Sequence, residues 1–145
     1  MNICDLPFNR LIGLRPSDIS KYLLMLSANE NYGNHLGTVH ASALFALAEA
    51  SSGEILQREY AGIGEAVPVV RNVEAKYKKP AEGNIYSLAK PLLEKQEVLA
   101  SLASKKRALL PIETTLFNET EEIVFKATFE WYLFQQPTSP PLSSS

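Results

Sequence analysis

The sequence contains few of the residues that build disulfide or metal-linked structures. It has one cysteine and two histidines among 145 residues. The single thiol of Cys4 cannot form an internal disulfide, and two histidines with one cysteine give no recognisable zinc-ligand spacing. We therefore expect a fold that depends on its apolar core, in a reducing compartment and without a structural metal.

Strong charge and long apolar runs are also missing. The chain has 14 basic and 16 acidic residues and a formal net charge of −2, so it lacks the basic field that attracts phosphate backbones. No segment reaches the roughly 18 consecutive apolar residues of a membrane span, and the first residues do not resemble a signal peptide. We expect a cytoplasmic protein that binds neither nucleic acid nor a membrane.

The sequence does contain enough apolar residues for one globular domain. Hydrophobic residues make up 46% of the chain, which is sufficient for a single core at this length. The last residues are rich in proline and serine, a composition typical of disorder. We interpret the sequence as one domain over residues 1–134 and a disordered tail over 135–145.

Hydrophobic periodicity predicts one long helix and about six strands. The helix covers residues 38–57, where apolar residues recur at helical spacing between Gly37 and Gly62. A second, amphipathic helix is predicted over residues 92–106. Its apolar stripe contains Leu92, Leu93, Gln96, Leu99 and Ala103. The strands are predicted at 11–15, 22–27, 69–78, 84–90, 109–117 and 123–134.

These elements have one simple packing arrangement. An antiparallel sheet can curl around the long helix and bury its apolar stripe. The predicted fold class is therefore α+β, with a curved antiparallel sheet of about six strands wrapped around one central helix. The helix at 92–106 would cover a sheet edge or the mouth of a tunnel, because an apolar stripe is stabilised when it is buried against another surface and not when it faces solvent.

One acidic residue on the long helix has an unusual position. Glu49 lies at the border of the apolar stripe, beside small residues such as Ala46 and Gly53. A carboxylate among apolar side chains is costly to ionise unless it is paired, hydrogen-bonded or used in chemistry. The small neighbours would leave room for a ligand or a second subunit.

The start of the same helix offers complementary chemistry. Its first N–H groups, over residues 38–42, lack intrahelical acceptors and can stabilise an oxygen that becomes negative during acyl transfer. Ala41 precedes Glu49 by eight residues, which is about 12 Å along one helix. One helix cannot bring both groups to one carbonyl, but two copies related by a dyad can. We therefore predict a homodimer whose long helices meet near the dyad.

Polar residues with a defined spacing surround the helix start. His40 follows Asn34 by six residues, and Glu49 follows His40 by nine at the end of the run LFALAE. Residues 77–83 read YKKPAEG. Over roughly residues 7–134 this pattern resembles the hotdog-fold acyl-CoA thioesterases of the phenylacetate-pathway type. The resemblance implies a hotdog dimer or dimer of dimers, with the segment 91–107 as an insertion between two strands.

The resemblance also implies a role for each residue of the motif. The N–H near Ala41 would polarise the thioester carbonyl, and Glu49 of the partner chain would act as general base or nucleophile. Asn34 would position the attacking water or the substrate, and His40 would hold the helix entrance or contact the thioester. No cofactor is implied except coenzyme A as part of the substrate.

Other residues are candidates for binding the substrate. They are Ser42, Phe45, Gly53, Arg71, Lys78 and Lys79. Arg71 falls on the apolar phase of its strand, where a charged side chain more often forms an ion pair. The basic clusters at 76–79 and 105–107 could contact the phosphates of coenzyme A, but such runs are more often solvated.

Three functions are compatible with this pattern. The first is hydrolysis of acyl-CoA or acyl-carrier thioesters. The second is non-catalytic acyl binding, because Ala41 and Ser42 stand where the family has two glycines. The third is a hotdog hydratase or dehydratase, which needs a histidine and an acid placed to move two protons, and the position of His40 fits this less well.

Overall fold

The computed structural model describes residues 1–60 and 66–135. The helices in these ranges are α1 (Pro7–Ile12), α2 (Ala41–Tyr60) and α3 (Lys95–Lys105), and the strands are β1 (Arg15–Pro16), β2 (Leu24–Leu26), β3 (Ala66–Tyr77), β4 (Ile85–Pro91), β5 (Arg107–Phe117) and β6 (Ile123–Gln135). The predicted helix stop at Gly62 and the predicted tail beyond Gln135 lie outside the described residues. Nowhere in the described ranges is a helix long and apolar enough to cross a membrane.

The six strands form one antiparallel sheet in the order β1-β2-β4-β5-β6-β3. The long strands β5 and β6 pair along nearly their whole length, and β3 pairs with the other side of β6. Strand β3 is therefore an edge strand of 12 residues. The predicted α+β class, with a six-stranded curved sheet around one long helix, is confirmed.

The core lies between α2 and the inner face of the sheet. From Ala43 to Gly53, every residue of α2 is buried except Phe45, which is half-buried, and Glu49, which is exposed. Alternate residues of β5 and β6 face the helix, among them Leu110, Ile112, Leu116, Phe125 and Phe129, all fully buried. Each such side chain contributes about 1.5–3 kcal/mol through the area it removes from water. The long helix is thus the centre of the fold.

The N-terminal segment forms a helix that the sequence analysis missed. We predicted a strand at 11–15, but this segment contains the end of α1 and Gly13, which adopts a φ of 82° at the helix stop. Pro7 at the first turn and a left-handed glycine after the last turn are common start and stop signals of a helix. That pair of signals could have identified α1.

A bulge in β3 changes which residues face the core. The pairing with β6 shifts between Val70 and Asn72, so Arg71 has no partner in the ladder. Our placement of Arg71 on the apolar side of the strand is therefore wrong. Its side chain is 60% exposed and lies 3.2 Å from the Glu130 carboxylate, which confirms the predicted ion pair.

Helix α3 forms close to the predicted position but buries a different face. Its buried residues are Val98 and Leu102, which pack against Leu56 and Tyr60 at the end of α2. The predicted stripe is wrong because the helix begins at Lys95, so the residues at 92 and 93 precede it and are exposed. Helix α3 therefore covers the part of the core that lies at the C-terminal end of α2.

Candidate functional site

The loop before α2 is closed by the side chain of Asn34. Its Oδ1 accepts hydrogen bonds from the N–H groups of Leu36 (2.9 Å) and Thr38 (3.0 Å), and its Nδ2 donates to Thr38 Oγ1 at 2.8 Å. Gly37 completes this turn with a φ of 79°. The amide oxygen of Asn34 is fully used by the loop, which leaves one amide N–H for the predicted contact with water or substrate.

His40 caps the N-terminus of α2. Its Nδ1 accepts a hydrogen bond from the backbone N–H of Ser42 at 2.9 Å, as an N-cap side chain does. A neutral imidazole that accepts at Nδ1 carries its proton on Nε2, so this ring can donate outward but has no free lone pair. His40 therefore holds the helix entrance, and its geometry disfavours the proton transfers of a hydratase.

The backbone N–H of Ala41 is the available donor at this helix start. In residues 38–42 the other N–H groups all have acceptors: Thr38 donates to Asn34, Val39 to Ala81, His40 to Tyr32, and Ser42 to His40. No acceptor for the Ala41 N–H is found among the described residues. Tyr77 at the end of β3 donates its hydroxyl to the Ala41 carbonyl at 3.3 Å. A free N–H at the positive end of a helix dipole suits an anionic oxygen.

Glu49 is an exposed acid in the buried middle of α2. Within residues 1–60 and 66–135, its carboxylate forms no ion pair or hydrogen bond. Partial burial among apolar neighbours raises the pKa of Glu49 above its ordinary value of 4.5, and no charged group opposes this effect. An accessible carboxylate with a raised pKa and no structural partner is suited to accept a proton.

The neighbours of Glu49 on the helix show which side of the sheet it faces. One turn earlier, the Phe45 ring packs edge-on against Phe129 of β6, with centroids 5.4 Å apart. Almost one turn later, Ser52 Oγ accepts a hydrogen bond from Trp131 Nε1 at 3.0 Å. This side of α2 therefore lies over β6, next to the edge strand β3. Glu49 lies between Phe45 and Ser52 on this side of the helix, where its side chain is exposed.

The small residues near Glu49 are covered by the chain itself. A Cβ atom at Gly53 would lie 3.3 Å from Ile3 and 3.8 Å from Trp131, and Ala46 is 9% exposed. The prediction that Gly53 binds substrate is wrong, and so is the interpretation of an open small-residue face. The reason is that the N-terminal segment, which we did not place there, occupies this space.

The remaining predicted residues divide between two places. Ser42 is exposed in the first turn of α2, and Lys78 and Lys79 are exposed just after β3, so these three lie at the same end of the fold as Ala41. Arg71 lies six residues before the end of β3, about 20 Å away along the strand. In the described part of the chain, no group of three or more possible ligand side chains could hold a metal ion.

Solved structures of other proteins share this fold. The protein PA5026 from Pseudomonas aeruginosa, described as a probable thioesterase, is 23% identical with a TM-score of 0.77, over 92% of this chain and 91% of that one. BH2602 from Bacillus halodurans, solved with CoA, is 16% identical with a TM-score of 0.69, over 88% and 75%. A phenylacetic acid degradation-related protein from Ralstonia eutropha JMP134 is 16% identical with a TM-score of 0.65, over 88% and 90%. These likenesses confirm the predicted hotdog fold.

The family of the chain follows from its sequence profile. Comparison with curated proteins finds no significant match. The profile of a domain of unknown function, DUF4442, matches residues 7–133. This span contains the loop at Asn34, the whole of α2 and all six strands except the last two residues of β6. The chain therefore belongs to the DUF4442 family.

Proposed function

We propose that this protein hydrolyses acyl thioesters at a site formed by two copies of the chain. The observation that carries the proposal is the pair of unsatisfied groups on α2. The Ala41 N–H is a donor without an acceptor in the described residues, and Glu49 is an accessible acid with a raised pKa. Acyl transfer needs these two functions, a stabiliser of the oxyanion and a base for the attacking water.

The distance between the two groups supports a shared site. Eight residues of helix separate Ala41 from Glu49, about 12 Å. The edge strand β3 offers 12 residues with one unpaired side, a template on which another strand can pair. Pairing with β3 of a second copy would bring a second long helix to the side on which Glu49 projects. A carbonyl between the helices would then meet the Ala41 N–H of one copy and Glu49 of the other.

The reaction follows from these positions. Glu49 removes a proton from a water molecule, whose oxygen attacks the carbonyl carbon of the thioester. The carbonyl oxygen becomes negative and accepts a hydrogen bond from the Ala41 N–H of the other copy. The tetrahedral intermediate breaks its C–S bond, and the leaving thiolate takes the proton from Glu49. The products are a carboxylic acid and a free thiol.

The other residues of the motif support this chemistry. His40 aligns the first turn of α2 by capping it, and Asn34 holds the loop that delivers His40 to this position. Ser42 and Phe45 would line the approach of the acyl group, and Lys78 would meet the phosphates of the carrier. Coenzyme A is the carrier that we propose, which is supported by the neighbour BH2602 solved with CoA.

The direct test is the variant Glu49→Gln, which preserves the shape of the side chain but removes the base. With a panel of acyl-CoAs and a thiol-reactive dye, we expect turnover to fall roughly 10²-fold to 10⁴-fold. The control is Glu59→Gln, which removes an exposed acid from the last turn of the same helix and should keep wild-type turnover. Equal rates for Glu49→Gln and wild type would refute the assignment and favour acyl binding without catalysis.

A mixing experiment tests the shared site. Ala41 is the first residue of α2, where proline is tolerated, so Ala41→Pro removes its N–H without breaking the helix. Each variant alone should be nearly inactive. A mixture of Glu49→Gln and Ala41→Pro, exchanged into hybrid dimers, should recover about a quarter of wild-type activity because half of the dimers have one intact site. Activity no higher than the sum of the separate variants would show that the site is not shared.

A further inference from the structure

A pocket with strong positive charge lies on the outer face of the sheet, the face away from α2. Arg107, Ala108 and Leu109 line it from the start of β5, where the exposed side chains of Arg107 and Leu109 alternate with the buried ones of Ala108 and Leu110. The volume of the pocket is about 480 Å³. We propose that this cationic pocket, formed by Arg71, Lys105, Arg107 and Tyr132, binds a nucleotide through its phosphate groups.

The charge of the cationic pocket is not balanced by acids. None of the described residues that line the pocket is acidic. Glu130 pairs with Arg71 from the side, but Lys105 and Arg107 have no acidic partner within the described ranges. Two positive charges therefore face the same small volume. The guanidinium of Arg107 can bind a phosphate through two N–H groups, and the Lys105 ammonium adds a point charge.

The backbone around the cationic pocket is held in place. Helix α3 ends at Lys105, the next residue, Lys106, has a φ of 62°, and the chain then enters β5 directly. Ser101 Oγ donates a hydrogen bond to the Arg107 carbonyl at 2.7 Å. This bond ties the last turns of α3 to the first residue of β5. Lys105 and Arg107 therefore extend from a fixed backbone connection. Because this backbone is already ordered, less conformational entropy is lost when an anion binds.

One wall of the cationic pocket is apolar and aromatic. The Tyr132 ring stacks on Phe134 with centroids 5.4 Å apart and an interplanar angle of 27°, and Leu109 is 38% exposed beside it. A phosphate ion alone would leave this wall without a contact. A ligand with a flat ring and phosphate groups would use both walls, and the volume lies in the usual range for small-molecule sites. A nucleotide has this chemistry.

The pocket does not depend on hydrolysis at Glu49, because it lies on the opposite face of the sheet. Two sources could supply the nucleotide. One is the 3′-phosphorylated ADP portion of coenzyme A, and the other is a free nucleotide that acts as an effector. The pocket would contact phosphate groups in both cases. The experiment must therefore first show that a nucleotide binds in the pocket and then distinguish coenzyme A from a free nucleotide.

The test is calorimetric titration of the wild-type protein with adenosine 3′,5′-bisphosphate, ADP, pyrophosphate and coenzyme A. We expect the double variant Lys105→Gln/Arg107→Gln to weaken nucleotide binding at least roughly tenfold, and Arg107→Gln to show part of this loss. The control is Arg15→Gln/Lys95→Gln, which removes one exposed arginine and one exposed lysine outside the cationic pocket. Tyr132→Ala should weaken binding of the adenosine compounds and leave pyrophosphate unchanged.

The outcomes separate the sources and the two proposals. The pocket would be assigned to the carrier by two results together. Coenzyme A would bind more tightly than the free nucleotides, and the double variant would have a raised KM and an unchanged kcat for acyl-CoA. Free nucleotides binding as tightly as coenzyme A would assign it to an effector. No nucleotide binding at millimolar concentration, or equal losses in the control variant, would overturn the inference. Nucleotide binding without thioester hydrolysis would overturn the proposed function and leave the pocket standing.

Discussion

At the scale of single residues, hydrogen bonding separates the structural polar groups of α2 from Glu49. Ser51 donates to the carbonyl of Leu47 at 2.7 Å, and Ser52 accepts from Trp131. Both hydroxyls are buried and satisfied, as buried polar groups usually are. Glu49 is accessible and has no such partner in the described residues, so its presence in this helix is better explained by chemistry than by packing.

The raised pKa of Glu49 predicts how stability depends on pH. Above the ordinary value of 4.5 and up to the higher pKa of the folded state, the folded chain binds more protons than the unfolded chain, so the free energy of unfolding falls as pH rises. Below this window Glu49 is protonated in both states, and its partial burial does not lower the free energy of unfolding through ionisation. Above the window Glu49 is ionised in both states, and the cost of burying its charge has its full value. Glu49→Gln should therefore gain stability relative to wild type as the pH rises above the ordinary value of 4.5, and it should keep this gain above the raised pKa of the folded state.

Urea denaturation at several pH values would measure this difference, which solvent screening keeps small because the side chain is exposed. Glu59→Gln is again the control. A difference between Glu49→Gln and wild type that stays constant over the whole pH range would contradict the raised pKa.

The capping bond of His40 predicts a loss of stability on truncation. His40→Ala removes the acceptor of the Ser42 N–H, which should lower the free energy of unfolding by about 1 kcal/mol. His40→Asn supplies another capping side chain and should restore most of the loss. Equal stabilities of His40→Ala and wild type in urea denaturation would show that the cap contributes nothing.

At the scale of the elements, α3 is part of the core and not only a cover. Val98 and Leu102 are 1% and 3% exposed, and they pack on the end of α2 and on β5. The same helix supplies Lys105 to the cationic pocket. One short element therefore stabilises the inner side of the sheet and places a charge at its outer side.

This position predicts a large effect of a cavity in α3. Leu102→Ala should lower the free energy of unfolding by about 2–5 kcal/mol, because it leaves a cavity that the surrounding residues cannot fill. The matched control is Leu92→Ala, at a leucine that is 45% exposed, with an expected change within about 0.5 kcal/mol. If the two variants unfold at the same urea concentration, α3 does not belong to the core.

At the scale of the whole molecule, the sheet is closed on neither side and β3 is its long edge. An edge strand of 12 residues whose second side has no partner among the described residues is an unusual surface for a monomer, because it can pair with another chain. Arg71 occupies its bulge, but the strand beyond the bulge continues regularly to Tyr77. A second copy is the partner that the shared-site proposal requires.

We expect a homodimer in light scattering at micromolar concentration, and Val69→Lys should weaken it. Val69 lies on β3 and is 42% exposed, and a lysine on an edge strand discourages pairing. Leu88→Lys is the control, because Leu88 is 40% exposed on β4, an interior strand. A monomeric wild-type protein would remove the basis of the shared site.

The sequence by itself determined the elements whose periodicity is strong. The alternation along β6 and the helical spacing along α2 were sufficient to place both, because backbone geometry fixes which residues share a face. Glu49 could be identified for the same reason, as an acid at the border of an apolar stripe. The ion pair of Arg71 was predicted for a wrong reason, because the sequence analysis placed this charge on the apolar side of the strand and the bulge exposes it.

Only the tertiary structure decided which faces are covered and which hydrogen-bonding groups remain free. Ile3 covers Gly53 although the two residues are 50 positions apart in the chain, and periodicity contains no information about such contacts. The bulge in β3 reversed the phase of the strand because one extra residue shifts every side chain after it to the other face. That the Ala41 N–H has no acceptor among the described residues emerged only after the acceptors of its neighbours were known, because hydrogen-bond satisfaction is a property of the folded chain and not of a local sequence.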